Sequence, residues 1–450
     1  MSPEGRAALA DRARGVLDRN RRGTWTIPSK ALYPHQWLWD SCFTAIGLAH
    51  HDARRAAGEI DALFRGQWGN GMLPHMIFAS RIKDIGSKRI WQSKRHAQAP
   101  RDVETSCITQ PPLPAIASWR VAQHLPVDER RAFLANAYPR LVAYHRWLYR
   151  ERDLEDRGLV TLMHPWECGL DTTPPWMRAL HEMSEPWWVR MALKLRLARV
   201  ARLFRRDTKF IPAAERASDG DGLRMLALAR HAKRHDFELR RLPPDESVLI
   251  EDLAFNSLLC VSNTALGQIA EELGETVDGD LARSIDLTAH AFDQLWDDDS
   301  GHYCSRNAVT GDLLTIPTVA TFFPLWAGVV DQARAGRLIG LLGNESEDQG
   351  FWPAHPVPSV PTNARQFQER RYWKGPTWVN TNWIVIQGLR VYGEHAVVNE
   401  LTERTIGLVE RGGCAEYFSA LTGEAMGAEE FSWTAALVLD LLATESSGSV

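Results

Sequence analysis

Four segments of the chain combine Trp, Pro, Gly and acidic residues more densely than a core helix requires. They are YPHQWLWDSCF (Tyr33 to Phe43), HPWECGLDTTPPW (His164 to Trp176), RYWKGPTWVNTNW (Arg371 to Trp383) and CAEYFSALTGEAMGAEEFSWTAAL (Cys414 to Leu437). A sugar pocket needs this mixture. Flat aromatic faces suit the C–H faces of a sugar ring, carboxylates and amides suit its hydroxyls, and Gly or Pro shapes irregular loops. The chemistry that fits is cleavage of a glycosidic bond. One carboxylic acid protonates the leaving oxygen, and a second carboxylate attacks or activates water. Asp171 and Glu416 are the candidates. Asp171 stands among Trp166, Pro174, Pro175 and Trp176, an apolar wall that raises a carboxyl pKa, as a general acid requires. Glu416 stands beside Tyr417 in a Gly-flanked turn. With 56 acidic residues in the chain, residue type alone does not single out this pair.

Helices must position these segments. Apolar residues recur at steps of three to four over 250–273 (Ile250, Leu253, Ala254, Leu258, Val261, Ala265, Ile269) and over 429–443 (Phe431, Ala435, Val438, Leu439, Leu442). Similar patterns cover 3–19, 39–66, 105–123, 127–150, 187–204, 221–236, 280–296, 317–342 and 376–411. The spacing predicts about a dozen helices. Strand signals are few; 296–315 reads as a hairpin, 353–361 (PAHPVPSVP) as an extended loop, and the terminal ESSGSV as frayed. No Gly/Ser/Pro linker divides the chain, so one domain over 1–450 is expected. An all-α chain of this kind can close into a toroid of two concentric helix rings or remain an open solenoid. No repeat of roughly 34 or 40 residues is visible, which favours the toroid. The long Trp- and Pro-rich loops would then build a pocket at one end.

Composition narrows the function classes. The formal charge of -4 over 450 residues does not suggest a nucleic-acid partner. No run of about 18 apolar residues suggests a membrane span. The N-terminal sequence lacks the apolar stretch of a signal peptide, so the cytoplasm is the expected location. Six widely spaced cysteines read as reduced, mostly buried thiols. The 18 tryptophans raise the expectation of carbohydrate binding, although many must be core. No HExxH, zinc-spaced Cys/His cluster, GxSxG elbow, phosphate loop or GxGxxG fingerprint occurs. His50–His51 reads as surface. Asp297 to Gly301 (DDDSG) and Ser218 to Gly222 (SDGDG) read as a turn and a helix cap rather than calcium sites.

The WLWDS stretch, GMLPH (Gly71 to His75), TQPP (Thr109 to Pro112), HPWECGLD, YWKGPTW and the EY…TGE…FSWTA ending span nearly the whole chain. In this order they resemble bacterial members of glycoside hydrolase family 63, closest to the subgroup of mannosylglycerate and glucosylglycerate hydrolases. They resemble the trehalases of family 37 more distantly. The resemblance implies an (α/α)6 barrel and an inverting hydrolysis that needs no cofactor or metal. Carried over by position, Asp171 corresponds to the general acid and Glu416 to the general base, with Glu429 and Glu430 as rival bases. An inverting pair stands about 6.5–9.5 Å apart with a water between. Tyr33, Trp37, Trp39 and Asp40 would line the sugar pocket, with core packing as the alternative for the two tryptophans. Trp166 would join the wall. Gln110 would bond sugar hydroxyls or, alternatively, loop backbone. Tyr372, Trp373 and Trp378 resemble an aromatic subsite; Pro376 suits the first position of a helix, which would place Trp378 in its first turn.

The implied substrate is a small α-linked glucosyl or mannosyl conjugate, most simply one with a glycerate carboxylate. Residues 81–101 hold seven Lys or Arg and one acid, either a solvated loop or a flap over an anionic aglycone. The basic run 196–216 would contribute one carboxylate-binding arginine, Arg205 or Arg216, since guanidinium clamps carboxylates bidentately. An α-linked disaccharide is an alternative substrate. A helical-barrel epimerase, lyase or sugar-binding protein is an alternative class. Neither Asp171 nor Glu416 is expected to hold the core, so replacing either by Ala should reduce turnover by orders of magnitude with little loss of stability. Oligomeric state is left open.

Overall fold

The computed structural model describes residues 1–80, 82, 85–195, 207–343 and 350–447. Among these, twelve helices build the barrel: α1 (Pro3–Asn20), α2 (Leu38–Ala49), α3 (Ala53–Phe64), α4 (Pro114–Ala122), α5 (Val127–Arg152), α6 (Leu253–Leu273), α7 (Gly279–Ala291), α8 (Phe323–Ala327), α9 (Gln332–Leu342), α10 (Val379–Val391), α11 (His395–Gly412) and α12 (Ser432–Ser447). The even-numbered helices pack in sequence around a closed ring, α2 on α4, α4 on α6, α6 on α8, α8 on α10, α10 on α12 and α12 back on α2. The odd-numbered helices lie outside it. For example, α3 rests on α2 and α4, α5 on α4 and α6, and α11 on α10 and α12. This is the expected (α/α)6 toroid.

The sequence explains which helix goes where. Every residue of α2 (LWDSCFTAIGLA) is buried, and so are residues 379–389 of α10. A helix that can be buried on all sides belongs inside. By contrast, α11 buries Val398, Leu401, Thr402, Thr405, Ile406, Leu408 and Val409, a single face. Ring closure demands close approach at the seam between α2 and α12. A Cβ on Gly47 would run into the backbone of Ala436, so only glycine lets these helices meet.

Inner helices hand over to outer ones through short turns: 50–52, 123–126, 274–278, 328–331 and 392–394, three to five residues each. Asp52, Asp278 and Asp331 cap the helices that follow, with side chains accepting from Arg55, Leu281 and Ala333 N–H groups. The opposite handovers are long: 21–37, 65–113, 153–252, 292–322, 343–378 and 413–431. All lead into the N-terminal ends of inner helices, so the large loops gather at one mouth. Short strand pairs stitch them together. Gln36–Trp37 pairs with Met76–Ile77, and Tyr417–Phe418 pairs with Ala425–Met426. Thr377 bridges both Phe418 and Pro358.

Several expectations are corrected in detail. Residues 105–113 are not helical; α4 begins at Pro114, because the preceding prolines hold the chain extended. The stretches 39–66, 317–342 and 376–411 are each two helices joined by a short turn. Residues 296–315 form two hairpins rather than one. Helix α12 runs on through Ser447 instead of fraying at 445, and 448–450 lie outside the described residues. His50 is partly buried, with Nε2 2.8 Å from the Asp440 carboxylate. Ser218 does cap the helix Asp219–Arg234, and all six cysteines are buried and unpaired. No helix among the described residues is long and apolar enough to cross a membrane.

The seam yields a paired prediction. Gly47→Ala should lower stability by about 3 kcal/mol, because its methyl group meets backbone rather than a movable side chain. Gly267→Ala, in α6 with open space around it, should raise stability by up to about 1 kcal/mol. Urea unfolding of the two variants checks both signs.

Candidate active site

The sequence-selected residues come from the long loops and converge at the mouth. Trp37 is the N-cap of α2, and Trp39 and Asp40 lie in its first turn. Gln110 precedes α4. Trp166, Asp171 and Arg216 come from the loop between α5 and α6. Tyr372, Trp373 and Trp378 precede α10, and Glu416 precedes α12.

At the centre is a buried ion pair. Arg216 Nη1 lies 3.1 and 3.3 Å from Glu416 Oε1 and Oε2, and the two residues are only 6% and 1% exposed. Tyr33 donates its hydroxyl to Glu416 Oε1 at 2.8 Å and accepts from Arg216 Nη2 at 2.6 Å. Ala428 N–H donates to Glu416 Oε2 at 2.8 Å. The Tyr372 ring lies 4.1 Å from the guanidinium carbon, a cation–π contact. Gly427 makes room for this: at φ +73°, a Cβ there would sit 2.6 Å from Glu416 Oε2.

Two further carboxyls share the neighbourhood. Burial pushes Asp171 up to about 7; Arg216 opposes the shift and the Glu416 charge adds to it. Burial also raises Asp40 well above the ordinary carboxylate range, reinforced by Glu416 and Asp171. Burial keeps the Tyr33 and Tyr372 phenols protonated, so both remain donors. The rival acids lie elsewhere. Glu430 Oε1 accepts from Arg19 Nε at 2.8 Å on the outside of the barrel, and Glu429 is exposed.

The aromatic residues divide into two layers. Tyr33, Trp37, Trp166 and Tyr372 are partly exposed, whereas Trp39, Trp373 and Trp378 are buried. Trp373 and Trp378 stack at 3.7 Å with planes 6° apart. Trp378 is not in a first helical turn. It is the N-cap of α10, with extended backbone, and Pro376 lies two residues before it. The Pro376 carbonyl accepts from Ser359 N–H, which fixes it in the loop. Trp37 Nε1 and Trp373 Nε1 are buried donors with no partner among the described residues, and sugar hydroxyls could satisfy them. Gln110 Oε1 accepts from Trp39 N–H at 3.3 Å, so backbone takes its oxygen.

Sequence reasoning missed the residues that support this layer. Glu167, inside HPWECGLD, is fully buried and faces Arg152 at the end of α5, with Nη2 2.8 Å from Oε1 and Nη1 3.1 Å from Oε2. It also accepts from Met163 N–H at 2.9 Å and Thr109 N–H at 3.4 Å. One ion pair thus fixes both the loop carrying Asp171 and the extended segment carrying Gln110. The signal was an acid within a motif, but its partner is distant in sequence. In the basic stretch 81–101, Trp91 is buried against His75 and Trp166, so part of that stretch is anchored in the pocket wall. Arg205 lies outside the described residues. No group of three or more His, Cys, Asp or Glu among them could hold a metal ion.

A helical toroid with buried carboxyls and aromatic rings at the mouth defines a carbohydrate-active enzyme. The chain belongs to the mannosylglycerate hydrolase MGH1-like glycoside hydrolase family, whose model matches residues 33–434. It is 36% identical to the mannosylglycerate hydrolase of Thermus thermophilus, over 94% of this chain and 98% of that one. It is 33% identical to the glucosylglycerate hydrolase of Mycolicibacterium hassiacum, over 96% and 97%. The crystal structure of a family 63 mannosylglycerate hydrolase from Thermus thermophilus with Tris and D-glycerate superposes with a TM-score of 0.85 at 35% identity, covering 97% of this chain and 100% of that one. The neutral trehalase of Saccharomyces cerevisiae, at 16% identity and a TM-score of 0.58, shares the fold.

The geometry overturns the expectation that Glu416 is dispensable for stability. Removing one partner of a buried pair strands the other charge. The same holds for the supporting pair. Glu167→Ala should cost about 3–5 kcal/mol in urea unfolding, whereas Glu167→Met combined with Arg152→Met should cost less than that single change, since no charge is left alone.

Proposed function

We propose that the chain is an inverting hydrolase of a small α-linked glucosyl or mannosyl conjugate of glycerate, and that 1–450 acts as one catalytic unit. The observation that carries this reading is the placement of Asp171 and Glu416 around one arginine, with opposite protonation requirements. Asp171, raised to about 7 by burial, retains a proton to give. Glu416 accepts on both oxygens, from Arg216, Tyr33 and Ala428 N–H. The glycerate assignment is supported by the similarity to mannosylglycerate and glucosylglycerate hydrolases and to a relative crystallised with D-glycerate.

In the proposed reaction the sugar ring lies against the partly exposed Tyr33, Trp37, Trp166 and Tyr372. Its hydroxyls bond Asp40, Gln110 and the indole N–H groups of Trp37 and Trp373. Trp39 and Trp378 back this layer. As the bond from the anomeric carbon to the glycosidic oxygen breaks, Asp171 gives that oxygen its proton. A water attacks from the opposite face, and Glu416 takes its proton. The products are a β-sugar and glycerate. Arg216 is assigned to Glu416 rather than to the glycerate carboxylate, because its guanidinium already serves Glu416 and Tyr33.

Proton NMR of the protein with mannosylglycerate, glucosylglycerate, kojibiose and trehalose should show early release of the β-anomer from one of the first two. Early α-anomer would reject inversion, and turnover of a disaccharide alone would reject the glycerate assignment. Asp171→Asn and Glu416→Gln, which preserve shape, should each lower kcat by about a thousandfold. The acid must be protonated, so kcat/KM should fall as pH rises through about 7. A profile flat to pH 9 would remove Asp171 from that role.

A further inference from the structure

Glu215 does not appear in the pocket wall, yet it touches the segments that hold Glu416. Its side chain is buried. Oε1 accepts from Arg370 Nη2 at 2.9 Å, and Oε2 accepts from Gly427 N–H at 3.1 Å. Its backbone carbonyl accepts from the Tyr417 hydroxyl at 2.6 Å. The next residue is Arg216, whose own carbonyl accepts from Arg371 Nη1 at 3.0 Å. This dipeptide is therefore gripped by the strand pair that follows Glu416, with the glycine after it, and by the loop that carries Tyr372.

The consequence lies in what each contact fixes. The Gly427 amide held by Glu215 precedes Ala428, whose N–H donates to Glu416 Oε2. Gly427 itself runs close to that oxygen, since a Cβ there would lie 2.6 Å from it. On the other side, the Arg216 guanidinium reaches Glu416 from a backbone position that Glu215 sets. Both the N–H donor and the guanidinium that contact Glu416 are thus referred to one carboxylate outside the pocket. Arg370 completes the bridge and also bonds the exposed Glu424 at 3.1 Å.

We propose that Glu215, bridged to Arg370, is a positioning residue for the base: it locks Arg216 and the 427–428 turn against Glu416 and so sets the geometry in which Glu416 takes a proton from water. The inference rests on the reading of Glu416 as base. The groups that act electrostatically with Glu416 are Tyr33 from the first loop, Asp40 from α2, Asp171 and Arg216 from the α5–α6 loop, Tyr372 from the loop before α10, and Tyr417 next to it in the chain. Arg216 is the cation in this set. Moving it away removes the guanidinium that contacts both Glu416 oxygens and leaves that carboxylate's orientation unfixed.

The test uses the full chain and whichever substrate of the panel the unmodified protein hydrolyses. Glu215→Gln should lower kcat about tenfold or more while KM changes less than about threefold. Glu215→Asp should restore part of the lost kcat. Arg370→Met, at a half-exposed side chain, should lower kcat with the same small change in KM, and the double variant should be no worse than Glu215→Gln alone. Should Glu215→Gln fail to fold, the Arg370→Met kinetics carry the test. An unchanged kcat in the folded variants, or a loss explained wholly by a lower folded fraction, overturns the proposal. Near-normal turnover in Glu416→Gln would instead overturn the base assignment beneath it, whereas an inactive Glu416→Gln beside an unaffected Glu215→Gln sinks the positioning role alone.

Discussion

A guanidinium sealed away from water dictates what surrounds it. Arg216 would be strongly destabilising alone, and its burial is tolerated only because matched acceptors meet it. Those acceptors come from far along the chain. Glu416 lies 200 residues away and Tyr33 lies 183 residues away in the other direction. The first, third and last long loops must therefore end at one point. The closed ring of inner helices supplies that convergence, since each of these loops delivers the chain to the mouth end of an inner helix.

The two ends of the barrel are built on different rules. At the mouth, long loops are stitched by strands of two or three residues and by buried ion pairs, and polar groups from different loops face one another. At the other end the turns are short, and buried polar groups pair with one another across neighbouring inner helices. Asp440 accepts from Trp383 Nε1 at 2.7 Å and bonds His50, while Arg120 bonds Gln387 at 2.7 Å and lies over the Trp383 ring. Cations here also complement the negative ends of the inner helices. A stiff base of this kind lets the mouth carry irregular backbone without losing the register of the ring.

The sequence was most legible where chemistry leaves a local mark. Helix periodicity located most elements, and the Trp-, Pro- and Gly-rich segments are the ones that meet at the mouth. Helix boundaries were less legible, because an apolar pattern continues across a three-residue turn such as 50–52. Trp378 was placed three positions too far into its helix for a similar reason: Pro376 is compatible with a helix start, but Ser359 holds its carbonyl in the loop. The supporting residues were the least legible. Glu167 and Glu215 look like ordinary acids, and their partners Arg152 and Arg370 are 15 and 155 residues away. No local pattern marks a contact made only by folding.

The cost of the site can be read from Asp171. Its carboxyl takes up a proton near pH 7 when folded and near pH 4 when unfolded. Between these values the folded state holds more protons, so stability falls as pH rises through that window. That displacement corresponds to roughly 4 kcal/mol, a large fraction of the net stability of a typical domain. Asp40 adds to the cost in the same direction. The burial that makes ionised Asp171 unfavourable is also what keeps a proton available to a leaving oxygen. A fold can hold such a group only if its remaining structure is over-determined, which is what ring closure at Gly47, the Arg152–Glu167 pair and the tightly turned far end of the barrel provide.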